Sequence, residues 1–252
     1  MPEKTNWRLI ELETHSAAQN MALDEACLEG IAAQKSPSTI RFYRWNPSAV
    51  SIGYFQSLEQ EVYAETCRQK GIEIVRRQTG GGAVYHDFAG EITYSLLAPA
   101  SLFPSSIGES YQIICQSLIN GLSLLGLEAR FAPINDVTVN GQKISGNAQT
   151  RRKGVLLQHG TILFDVDVDT MFDVLNVSKE KIKDKFIQSV YKRVTSIRRE
   201  REVSFEQAYA AIRQGFTHDK NVSPGTWSAF ELARSQELAT QKYASDKWTH
   251  LR

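Results

Sequence analysis

Arg76-Arg77-Gln78-Thr79-Gly80-Gly81-Gly82-Ala83-Val84-Tyr85-His86-Asp87 sets three adjacent glycines between a basic pair and a strand-like apolar segment. Consecutive glycines accept positive φ and let main-chain N–H groups close on a ligand, which forms a concave anion site suited to a phosphate or carboxylate. The preceding Gly71-Ile72-Glu73-Ile74-Val75 reads as a strand running into the loop. Arg76 and Arg77 then stand at its exit, where forked guanidinium groups hold phosphate oxygens. The same residues also describe a glycine-rich hairpin with two solvated arginines, and a bare triple glycine leaves both readings open. Two familiar nucleotide loops are excluded. A Walker loop needs Lys and Ser or Thr after its last glycine, where this chain has Ala83-Val84, and a dinucleotide fingerprint needs spaced glycines that open a helix.

Outward from this loop the chain alternates helices with short strands, without an internal repeat or low-complexity segment. Residues 16–34 carry apolar groups at helical spacing behind Ser16, a residue fit to cap them. Residues 40–45 and 49–55 read as strands joined by an Asn46-Pro47-Ser48 turn, and residues 57–70 as a helix. Residues 91–97 alternate like a strand, and a helix over 107–126 ends at Gly126.

A second informative region is Asn135-Asp136-Val137-Thr138-Val139-Asn140-Gly141-Gln142-Lys143-Ile144-Ser145-Gly146-Asn147-Ala148-Gln149. Asn140-Gly141 is a strong two-residue hairpin signal, so Asp136 and Lys143 fall on adjacent strands. That pair fits an ordinary cross-strand ion pair, or a carboxylate for Mg²⁺ beside an ammonium that neutralises phosphate. Downstream, residues 154–164 form a long strand interrupted by Gly160 beside His159, as where a backbone approaches a ligand or bulges. His86 and His159 fit structural roles as well as pocket roles, and no Ser/His/Asp order stands out. Residues 178–201 turn basic (Lys179, Lys181, Lys183, Lys185, Lys192, Arg193, Arg198, Arg199, Arg201), which suits a solvated face or a dock for an acidic protein.

The 252 residues are 42% hydrophobic, enough for one large domain with a substantial core. Lysine plus arginine at 29 against aspartate plus glutamate at 28 gives +1, so net charge points to neither nucleic acid nor a membrane as partner. No apolar run reaches a membrane span and no signal peptide is evident, which makes the cytoplasm the expected compartment. Cys27, Cys67 and Cys115 are odd in number and widely spaced, against a disulfide framework or structural zinc; Cys27 and Cys115 read as buried thiols.

Together the stretches 76–87, Asn135-Asp136-Val137, 143–148 and 159–163 make the sequence resemble the lipoate-protein ligase catalytic domain, of the superfamily that also holds biotin protein ligases and octanoyl transferases. The likeness runs from about Trp7 to the end. It implies an α+β fold: a single domain over 1–252 with a mixed, largely antiparallel sheet flanked by helices, akin to class II aminoacyl-tRNA synthetases and biotin ligases. It further implies a ligase that uses ATP and Mg²⁺ to convert lipoate to lipoyl-AMP, then passes the lipoyl group to a lysine of a lipoyl-domain acceptor. The acceptor would be an H protein, an acyltransferase subunit or a dedicated lipoyl carrier.

By the same resemblance, Arg77 and the Gly82, Ala83, Val84, Tyr85 backbone would hold nucleotide phosphates, and Asp136 the metal. Gly80, Gly81 and His86 would line the lipoyl channel with Arg76 near it, while His159, Gly160 and Thr161 border the adenylate. Lys143 would offset the charge that builds in both steps. The C-terminal accessory domain of many such ligases is not expected here, which implies a separate accessory subunit or a specialised acceptor. The related octanoyl transferases share several of these motifs but work through a cysteine acyl-enzyme. No cysteine follows Cys115, so the sequence favours the ligase, with the transferase as alternative and a non-catalytic lipoate- or nucleotide-binding protein after it. The Gly-Arg-Gly-Arg loop of biotin ligases is absent.

Overall fold

The computed structural model describes residues 5–165, 167–176 and 183–252, with backbone alone for 183–186. Lys179 and Lys181 of the basic run, and the side chains of Lys183 and Lys185, lie outside the described residues.

Eleven strands are present among the described residues: β1 (Asn6–His15), β2 (Ser38–Trp45), β3 (Ala49–Ile52), β4 (Glu73–Arg76), β5 (Val84–His86), β6 (Glu91–Pro99), β7 (Ala129–Ala132), β8 (Asp136–Val139), β9 (Gln142–Arg152), β10 (Val155–Leu163) and β11 (Asn221–Pro224). Eight form one sheet in the order β11-β1-β2-β6-β10-β9-β8-β7, and β4-β3-β5 form a smaller one. In the large sheet β1 runs parallel to β11 and β2, and every other neighbouring pair is antiparallel. This is the mixed, largely antiparallel single domain flanked by helices that the motifs implied.

Side chains leave a strand alternately to its two faces, and the central strands are apolar on both, so both faces are covered. Leu96 and Leu156 join Ile114, Leu118, Ile212 and Phe216 from the helices Ile107–Leu124 and Phe205–Thr217. Their neighbours Leu97, Val155 and Leu157 turn the other way, to Cys27, Leu28 and Ile31 of the helix Ala17–Ala32. Ser16 caps that helix by accepting a hydrogen bond from the Gln19 N–H.

Residues 57–70 depart from the single expected helix. They form two short helices, Leu58–Glu61 and Ala64–Gln69, because Val62 leaves helical geometry to bridge Leu175 and the Tyr63 N–H donates to the Val174 carbonyl. The break anchors the helix Val168–Val174 beside the small sheet. A cavity opens between that small sheet and strands β9 and β10. Among the described residues no helix is long and apolar enough to cross a membrane.

Candidate active site

The triple-glycine loop leaves β4 and folds back over β3. Gly81 takes φ +97°, and a Cβ on Gly53 would sit 2.1 Å from the Gly81 carbonyl oxygen, so the loop packs where only a bare Cα fits. Arg77 holds this bend from within. Its guanidinium donates to the Gly80 and Gly82 carbonyls, to Thr79 Oγ1, and to both the carbonyl and the hydroxyl of Ser51. Burial with no carboxylate partner pushes its pKa down to about 10. Arg76 faces away from the cavity: its guanidinium donates to the carbonyls of Gly53, Tyr54, Gln56, Trp248 and Thr249, tying the C-terminal segment to β4.

Below the loop lies a cavity of about 310 Å³, walled by apolar groups including Met21, Trp45, Tyr85, Leu163, Met171 and Leu175. Of the residues singled out from the sequence it gathers Arg77, Gly81, Gly82, Ala83, Val84, Tyr85, His86, Lys143, His159, Gly160 and Thr161. Arg76, Gly80 and Asp136 are not among its lining residues.

At the closed end stands a hydrogen-bonded chain that the sequence reading missed. Arg77 donates to Ser51 Oγ, which lies 2.8 Å from His86 Nε2, and His86 Nδ1 lies 2.8 Å from Glu91 Oε1. Trp45 stacks on the His86 ring at 4.1 Å and donates from Nε1 to Thr93 Oγ1 at 2.8 Å. No local signal links these residues: Ser51 and His86 meet only because β3 pairs with β5.

His159 forms a second buried node, with Nε2 2.7 Å from Thr79 Oγ1 and Nδ1 3.5 Å from Asp24 Oδ2. Burial pushes the imidazole below its ordinary pKa, despite Asp24. Burial alone would raise Asp24, but Arg41, His159 and Ser95 outweigh it and hold the carboxyl below the usual range.

The open end is the lysine hairpin. Asn140 at φ +50° and Gly141 at φ +77° make the tight turn, as the Asn-Gly pair foretold. Lys143 lies opposite Thr138 and Asp136 opposite Gly146, with a bulge between Val137 and Thr138, so the two charges are not direct neighbours across the ladder. The Lys143 side chain instead runs along β9 over Gly146, and its Nζ reaches Asp136 Oδ1 at 2.7 Å. A methyl at position 146 would lie 2.7 Å from that ammonium, so the bare glycine opens its path. The Lys143 side chain is 40% exposed against 5% for His86, which places the ammonium at the mouth and the imidazole on the floor.

Residues 16–217 match the family described as the lipoyl protein ligase A/B catalytic domain. The chain belongs to that family. The octanoyltransferase LipM of Brevibacillus brevis is 38% identical over 271 residues, spanning 96% of this chain and 98% of that one. A bipartite lipoate protein ligase of Thermoplasma acidophilum, studied with its E2 lipoyl domain, superposes with a TM-score of 0.87 at 31% identity, covering 98% and 96% of the two chains. A lipoate-protein ligase A bound with ATP superposes at 0.81 with 28% identity, covering 98% of each. The fold is thus that of the lipoate ligases, and the protein is an enzyme of the ligase and octanoyltransferase family.

These relatives correct the expectation of an ATP-dependent lipoate ligase. Full-length relatives at 34 to 38% identity are octanoyltransferases, which favours the alternative reading. The physical reason is that the glycine loop, the lysine hairpin and the His159 strand build an apolar pocket with a cation at its mouth, an arrangement compatible with either reaction. The lack of a cysteine after Cys115 does not outweigh these relatives. ATP is bound in the lipoate-protein ligase A structure, and nothing in the named octanoyltransferases extends it or Mg²⁺ to this chain.

Proposed function

We propose that this chain is an octanoyltransferase, moving an octanoyl group from a carrier-bound thioester to the side-chain amine of a lysine on a lipoyl domain. The observation that carries the reading is the apolar cavity closed at its floor by the His86 network and open at the Lys143 ammonium. A saturated chain of eight carbons fills such a space with its carbonyl at the mouth. A thioester is already activated, so the reaction balances without a nucleotide.

In the reading proposed here the neutral amine of the acceptor lysine attacks the thioester carbonyl. The carbon–sulfur bond breaks, an amide forms, and the departing thiolate takes up the proton the amine loses. Lys143 acts on the oxyanion that develops between these events, where a fixed cation lowers the barrier most. Asp136 aims the ammonium, its Oδ1 lying 2.7 Å from Nζ. Gly81, Gly82, Ala83, Val84 and Tyr85 form one wall, and His159, Gly160 and Thr161 the other.

The thiols are placed for structure. Cys27, Cys67 and Cys115 are all buried, none lines the cavity, and burial pushes them up to about 12, 11 and 12. Transfer is therefore direct, with donor and acceptor bound together. Lys143→Ala is expected to lower kcat by at least about 10²-fold with the fold intact, whereas replacing all three cysteines by serine leaves transfer in place. Intact-protein mass spectrometry after incubation with an octanoyl thioester alone tests this choice. An acyl adduct on a cysteine, or on Ser51, would contradict direct transfer.

A further inference from the structure

The segment from Tyr191 to Arg201 lies against the lysine hairpin. Lys143 bridges Val194, the Thr195 N–H donates to the Lys143 carbonyl at 2.8 Å, and Gln142 Nε2 donates to the Tyr191 carbonyl at 2.6 Å. Val194 itself lines the cavity. From this strip Lys192, Arg193, Arg198 and Arg199 point into solvent. Among the described residues only Arg198 of these four has a carboxylate within 4.0 Å, that of Asp165 at 3.6 Å. The nearby Glu200 is occupied, its two oxygens accepting from Thr195 and Asn140. With a net charge of only +1 over the chain, this is a local positive field held beside the reacting end of the pocket.

Resting on the transferase reading, we propose that this strip docks an acidic carrier domain, the one that presents the acyl thioester. The acyl chain must enter the cavity before transfer, so its carrier is the partner held over the mouth. Guanidinium groups suit both the carboxylates of an acidic protein face and the phosphodiester of a carrier's thiol-bearing arm. The hairpin that aims Lys143 also fixes the strip, so docking and chemistry share one frame.

The experiment compares two octanoyl donors, an acidic carrier domain and the small neutral thioester of N-acetylcysteamine, with wild type and with the Lys192→Glu/Arg193→Glu double variant. Both side chains are exposed and neither belongs to the proposed catalytic machinery. The expected result is a KM for the carrier donor raised about tenfold or more, with kcat/KM on the small thioester within about twofold of wild type. Raising salt should weaken wild-type use of the carrier donor and barely touch the variant. An equal loss with both donors would assign the strip to supporting Lys143 and overturn the proposal. So would no loss with either donor, or a rise in KM confined to the acceptor domain. Wild type that uses neither thioester would instead sink the transferase reading on which the proposal stands.

Discussion

Replacing Gly146 by alanine places a methyl carbon 2.7 Å from Lys143 Nζ and 2.8 Å from its Cε, with the Asp136 carboxylate 3.7 Å away. Ordinary contact begins near about 3.5 Å, so the ammonium has to retreat by roughly 0.8 Å or swing off Asp136. The folded state hardly notices, because the side chain is flexible and 40% exposed, and such an ion pair contributes under about 1 kcal/mol. Alanine also restricts the unfolded chain relative to glycine, which stabilises by about 0.4–1 kcal/mol. Chemistry is more sensitive. Misplacing a catalytic group by about 1 Å costs about 10²-fold, equivalent to roughly 2.7 kcal/mol of barrier. The expected outcome in a steady-state octanoyl-transfer assay is therefore kcat reduced about 10²-fold, with little change in the KM of the donor, since the apolar walls are intact, and an unchanged or slightly higher Tm. Gly141→Ala supplies the opposite pattern: at φ +77° with open space around it, it should lower stability by about 1 kcal/mol and leave kcat alone. A folded Gly146→Ala enzyme with kcat within about twofold of wild type would refute the idea that charge develops at the ammonium.

Gly53→Ala drives a methyl into the Gly81 carbonyl, where backbone cannot yield, so we expect a lowered Tm together with loss of donor binding, read by calorimetry and by KM. Arg8 donates through two nitrogens to the buried Glu231, at 2.7 and 2.5 Å. Burial works against that carboxylate's charge, but the Arg8 and Ser228 contacts prevail and take its pKa from 4.5 down to about 2. A depressed carboxyl stabilises the fold above its unfolded pKa, so this contribution is full above about pH 4.5 and fades as pH falls toward 2. In denaturant titrations across that window Glu231→Gln should flatten the slope of stability against pH, and an unchanged slope would remove the assignment.

Local chemistry made part of this molecule readable in advance. Asn140-Gly141 dictated its turn, Ser16 its cap, and Gly126 at φ +73° the end of its helix, because each rests on a few neighbouring bonds. The Asp136 and Lys143 meeting was foreseeable as adjacency, but the bulge that makes Lys143 travel over Gly146 depends on pairing register. Arg76 shows the limit more plainly. Its neighbours suggest a ligand contact, yet its partners Trp248 and Thr249 lie over 170 residues away and could be known only from the folded chain. Ser51, His86 and Glu91 were invisible as a unit for the same reason. The choice between ligase and transferase was not legible because one pocket and one cation satisfy both.

The account is tested most directly by mass spectrometry of a lipoyl domain incubated with the enzyme and an octanoyl thioester in nucleotide-free buffer. It predicts that the domain gains one octanoyl group with no ATP present, and that adding ATP changes nothing. Modification that appears only when free fatty acid and ATP are supplied, with the thioester inert, would contradict it.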